Sequence, residues 1–86
     1  YSSINYYMSQ LDTTDLPGEG DAGYVSTGAV VYANTARFPS SGTILIGRER
    51  ISYTSKLSDR FVDCTRGADG SPVDSHTVGD YLRKYL

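Results

Sequence analysis

Apolar residues in this chain arrive in short runs, and several of the runs alternate with polar residues at a period of two. Ala29-Val30-Val31-Tyr32-Ala33, Thr43-Ile44-Leu45-Ile46, Arg50-Ile51-Ser52-Tyr53-Thr54 and Arg60-Phe61-Val62-Asp63-Cys64-Thr65 have the length and the β-branched and aromatic content of strands. Tyr81-Leu82-Arg83-Lys84-Tyr85-Leu86 reads as a closing strand, with a short terminal helix as its rival. Phe38-Pro39-Ser40-Ser41-Gly42 and Asp69-Gly70-Ser71-Pro72 predict turns, Ser55 to Asp59 a polar turn, and Gly47-Arg48-Glu49 a tight hairpin link. Ser71 to His76 predicts one helical turn, with Ser71 as N-cap and Pro72 at the first position. No helix of ordinary length is required anywhere.

Ahead of Gly28 the pattern lapses. Ile4, Tyr6, Tyr7, Met8 and Leu11 offer a face, but no 3.6-residue period continues from them. Asp12 to Gly23 is dense in turn formers, broken hard at Leu16-Pro17-Gly18. Residues 1–27 therefore read as an extended N-terminal arm or linker, and residues 28–86 as a small β-module. The expected class is all-β: a small antiparallel meander or partly open barrel of about five short strands, with one short helical turn and the arm.

Length and composition sharpen this picture. A chain of 86 residues is one small domain, marginal unless something staples it. One cysteine, Cys64, excludes an internal disulfide, and one histidine, His76, leaves no Cys and His set for a structural zinc. Oligomerisation is then the expected source of stability, and a lone cysteine suits a reducing cytoplasm. The longest apolar run, Gly42 to Gly47, is strand-sized, so no membrane partner is expected, and the first residues lack a signal-peptide pattern. The net charge of −2 makes no case for nucleic acid. Its distribution is uneven: Asp12, Asp15, Glu19 and Asp21 sit in the arm without any Lys or Arg, so the arm is suited to dock on a basic module, its own or a neighbour's.

A longer spaced pattern runs through the module. Phe38-Pro39-Ser40-Ser41-Gly42-Thr43-Ile44-Leu45-Ile46-Gly47 is followed by Glu49, Ile51-Ser52-Tyr53-Thr54, Cys64-Thr65-Arg66-Gly67, Gly70, His76 and Gly79. This set resembles a module of tailed-phage virion proteins that recurs in tail, baseplate and fibre proteins. It covers about residues 30 to 80, with the arm outside it. The resemblance implies a virion structural protein, assembled in the host bacterial cytoplasm, whose partners are other virion proteins or copies of itself. It implies no catalytic role and no cofactor. The alternative within the same setting is a receptor- or glycan-binding module of a fibre.

The residues themselves suggest what the polar positions do. Glu49, Arg66 and His76 punctuate apolar strands in a very small domain. Either Glu49 pairs with Arg66 or His76, with the Tyr53 hydroxyl joining a network that holds strand register, or the groups are solvated and independent. Tyr1, Tyr6, Tyr7, Tyr81 and Tyr85, at the two ends of the chain, are the expected interface residues, since aromatics give large contact area at low entropic cost.

Other constellations weigh less. Gly18-Glu19-Gly20-Asp21-Ala22-Gly23 has dinucleotide-fingerprint spacing, but Leu16-Pro17 precedes it and its acids would repel a pyrophosphate. Cys64 and His76, with Asp63, Asp74 or Asp80, could be drawn as a thiol–imidazole pair, yet a strand cysteine is ordinarily a buried hydrophobe. Arg48, Arg50, Arg60 and Arg66 interleave with Tyr53 and Phe61, but Glu49, Asp59 and Asp63 alternate with them and cancel a field for nucleic acid. Asp12 and Asp15 lack the ligand density of a calcium loop. No catalytic, cofactor-binding or metal-binding residue is therefore expected.

Overall fold

The computed structural model of the protein describes residues 8–85. Among these residues seven strands occur: β1 (Met8–Gln10), β2 (Thr27–Tyr32), β3 (Gly42–Ile46), β4 (Glu49–Tyr53), β5 (Ser55–Leu57), β6 (Arg60–Thr65) and β7 (Tyr81–Lys84). All pairings are antiparallel, in one open sheet ordered β1-β7-β3-β4-β6-β2, with β5 attached to β6. The protein is thus all-β, and a 3₁₀ turn at Ala68–Gly70 is the one helical piece among the described residues.

Alternation decides which side chains fill the core. Ile44 and Ile46 of β3 point inward, as do Ile51 and Tyr53 of β4 and Leu82 of β7. The β3–β4 hairpin pairs Ile46 with Glu49, leaving Gly47 and Arg48 as a two-residue loop. Gly47 takes φ 62 at the first loop position, where such hairpins need a positive φ. Phe61 is the largest fully buried side chain and packs on Phe38 edge-to-face at 5.1 Å and on Tyr53 at 4.6 Å between ring centroids.

Phe61 and Cys64 are both fully buried although three residues apart, which strict alternation forbids. The β2–β6 ladder resolves this with register shifts: Val31 faces Phe61, Ala29 faces Cys64, and Thr27 faces Thr65. The extra residues fall beside Asp63 in β6 and Gly28 in β2, both at positive φ.

Three readings of the sequence are corrected here. Ser55 to Asp59 is not a plain turn, since Ser55–Leu57 forms β5 and pairs with β6. Ser71 to His76 contains no helical turn. Ser71 is extended (φ −69°, ψ 155°), and its hydroxyl bridges to the Arg50 N–H (2.9 Å) and the Ala68 carbonyl (2.7 Å) instead of capping a helix. Nor do residues 8–27 stand apart from the module. β1 pairs with β7, Leu11 and Leu16 are core residues, and Leu16 exchanges backbone hydrogen bonds with His76 at 2.8 Å each way. Of their carboxylates, Asp15 does dock on the module, through the Val78 N–H and not a basic side chain, while Asp21 accepts from the Gly18 N–H inside the segment itself.

Candidate functional site

Two polar places stand out, one sealed inside the sheet and one open at its edge. The sealed one begins with Glu49, the first residue of β4, on the same inward parity as Ile51 and Tyr53. Its carboxylate is fully buried and has a partner at every oxygen. Arg66 makes a bidentate pair, with Nε 2.6 Å from Oε2 and Nη2 3.0 Å from Oε1. The Gly67 N–H donates to Oε2 at 3.0 Å and the Asp74 N–H to Oε1 at 3.2 Å. His76 Nε2 lies 2.9 Å from Oε1. An ionised carboxylate only accepts, so His76 carries a proton on Nε2.

Arg66, also buried, extends the cluster to the chain around it. Nη1 donates to the Pro17 carbonyl at 2.6 Å and Nη2 to the Asp74 carbonyl at 2.8 Å, while the guanidinium lies 5.4 Å from the Tyr24 ring centroid. The segment through Leu16-Pro17-Gly18 therefore closes over the cluster. Gly18 sits so near the Asp74–Ser75 backbone that a Cβ there would fall 2.5 Å from the Ser75 nitrogen. That close approach, not a phosphate, is what the first glycine of the Gly18–Gly23 run serves.

The electrostatics follow from this geometry. Burial pushes the Glu49 carboxyl up, but the hydrogen bonds from His76 and Arg66 and the Arg66 charge more than reverse it, and the value falls to about 2. Among the described residues no buried side-chain nitrogen or oxygen lacks a hydrogen-bond partner.

Tyr53 is corrected out of this network. Its hydroxyl donates to the Pro39 carbonyl at 2.7 Å, pinning the turn before β3, and burial raises it to about 12. The structure thus brings together Glu49, Arg66 and His76 and leaves Tyr53 elsewhere. Sequence reading missed the backbone groups of Pro17, Gly67 and Asp74, which no side-chain signal marks. The inward parity of Glu49 was readable, because it lies two residues before Ile51.

Cys64 and His76 do not form a reactive couple. The thiol is fully buried and pushed up to about 12, by burial first and by Asp63 in addition, while His76 Nε2 is committed to Glu49. Among the described residues no group of three or more His, Cys, Asp or Glu could hold a metal ion, and no helix is long and apolar enough to cross a membrane.

Of the expected interface tyrosines, Tyr1, Tyr6 and Tyr7 lie outside the described residues. Tyr85 is half-buried, with the Arg50 guanidinium 4.4 Å from its ring centroid. Tyr81 is 64% exposed and lines a groove of about 400 Å³ at the sheet edge, together with Gln10, Asn34 and Arg37. Compared with protein-family models, curated proteins and solved structures, the chain matches none of them.

Proposed function

We propose that this chain is a structural protein of a bacteriophage virion, from the tail, the baseplate or a fibre, that works by assembling with copies of itself or with neighbouring virion proteins. The spaced motif suggests the setting, and one observation carries the reading: the residues of that motif are used to hold the fold. Ile44, Ile46, Ile51 and Tyr53 fill the core, and Glu49, Arg66 and His76 close on one another. A motif used this way encodes a scaffold, and a scaffold acts through the surfaces it presents.

Two further features agree with assembly. The sheet ends in edge strands β1 and β2, whose outer sides are suited to pairing or packing with another chain. Val25, Leu57, Val78 and Tyr81 place apolar surface in solvent, where a neighbour could cover it. The non-enzymatic part of the reading is supported by the state of Cys64 and His76, since a thiol held near 12 supplies no thiolate at neutral pH.

Mass spectrometry of density-banded particles, released from a host carrying the coding genome, tests the proposal. The protein is expected in intact particles at a fixed copy number that survives a high-salt wash. Light scattering on the purified full-length chain is expected to show self-association or binding to a virion protein. A monomer absent from particles would sink the reading.

A further inference from the structure

The two ends of the sheet meet at one point, where the Asp12 N–H donates to the Tyr32 carbonyl at 2.8 Å. Away from that point they part, and the groove beside Tyr81 lies between β1 and the segment from Asn34 to Phe38. Its volume of about 400 Å³ falls within the range of small-molecule clefts, roughly 300–1,000 Å³. A second hollow of about 350 Å³ shares Ser9, Gln10 and Asn34 with it and reaches Asp12 and Gly79.

Two polar side chains of this groove, Gln10 and Asn34, are oriented by hydrogen bonds. Gln10 Nε2 donates to the Gly79 carbonyl at 3.2 Å. A carbonyl only accepts, so the NH₂ end is committed there and Oε1 is presented as an acceptor. Asn34 Oδ1 accepts from the Ala36 N–H at 2.9 Å, which commits the oxygen and presents Nδ2 as a donor. The lining thus offers an amide acceptor and an amide donor of assigned orientation, with Ser9 and the Arg37 guanidinium also among its polar groups. Beside them stands Tyr81, the most exposed large hydrophobic side chain among the described residues.

We propose that this groove is a binding site for a neutral saccharide. A pyranose ring presents an apolar C–H face that packs on an aromatic ring, and a rim of hydroxyls that need both donors and acceptors. Groups fixed before the ligand arrives lose little freedom on binding, which favours so small a site. Charges of both signs border the site, Arg37 in the groove's own lining and Asp12 in the adjoining hollow, so no net field selects an anionic ligand. The inference is independent of the virion assignment, because its test needs only the purified chain.

Isotope-labelled full-length protein is titrated with maltohexaose, cellohexaose, chitohexaose and mannohexaose to millimolar concentration, with a heparin hexasaccharide as the anionic probe. At least one neutral oligosaccharide is expected to receive saturation transfer at its C–H protons and to shift the signals of Gln10, Asn34 and Tyr81. Tyr81→Ala is expected to weaken binding at least about tenfold through loss of the ring face. Asn34→Asp keeps the acceptor for the Ala36 N–H, removes the donor, and is expected to weaken binding several-fold. Both variants keep the wild-type melting curve. Failure of all four neutral sugars to bind, binding indifferent to Tyr81→Ala, or a preference for the heparin probe overturns the proposal.

Discussion

Glu49 and Gln10 carry similar side chains on the same sheet and meet opposite fates. Glu49, on the inner side of β4, accepts five hydrogen bonds from Arg66, Gly67, Asp74 and His76 and touches no solvent. Gln10, at the end of edge strand β1, is exposed and makes one bond, to Gly79. The difference lies in what surrounds each. Gly67 and the segment Asp74 to His76 converge on Glu49, and Pro17 holds its partner Arg66 from the other side. At Gln10 the sheet has reached its edge, and water remains a competitor. A small β-domain can take a charge inside only when every oxygen finds a donor from within the chain. Its edge is where polar groups stay available for something else.

The hardest blow to this contrast is Arg66→Met. It leaves Glu49 buried without its counter-charge, and urea unfolding is expected to show a loss of ~3–5 kcal/mol, much of what a domain this size has. The double variant Glu49→Leu with Arg66→Met removes both charges and is expected to recover part of that loss. A cost below about 1 kcal/mol for Arg66→Met would mean that the cluster is open to water.

Acid acts on the buried carboxylate directly. The Glu49 carboxyl falls from an ordinary 4.5 to about 2 in the fold. A carboxyl lowered by folding stabilises the protein above its unfolded value, and that contribution drains away as pH falls through the folded one. Wild type and Glu49→Gln are therefore expected to differ by roughly 3 kcal/mol near neutral pH, narrowing between pH 4.5 and about 2. A gap that stays constant across that window, followed by chemical denaturation at stepped pH, contradicts the assignment.

Tyr53→Phe removes one buried hydrogen bond, to Pro39, and is expected to cost about 1 kcal/mol. Because that bond lies outside the Glu49 cluster, its effect should add to that of Glu49→Gln within ~0.5 kcal/mol. A larger coupling in a double-mutant cycle would return Tyr53 to the network. The smallest effect belongs to the open edge and the outer surface. Replacing Asp59 by Asn breaks its ion pair with Arg60, whose Nε lies 2.9 Å from Oδ1, and no measurable change in melting temperature is expected.

Much of this was legible along the chain. The inward set Ile44, Ile46, Ile51, Tyr53 and Phe61 follows from strand alternation. Glu49, Arg66 and His76 were visible as polar interruptions of apolar runs. What escaped was short or non-local. Three-residue strands such as β1 and β5 carry too little pattern to stand out and exist because β7 and β6 offer them an edge. Ser71 reads locally as a helix cap, yet its hydroxyl finds Arg50, far along the chain, and the helix does not form.

The order of residues alone determined that the protein is a β-domain and which faces of β3 and β4 turn inward, because side chains of a strand alternate whatever its neighbours do. Tertiary structure decided that Phe61 and Cys64 share one face, through the bulges at Asp63 and Gly28, and that residues 8–18 belong to the module. It also decided that Glu49 could remain charged inside. Those outcomes depend on hydrogen bonds between groups remote in sequence, and such bonds come into being only when the sheet has closed around them.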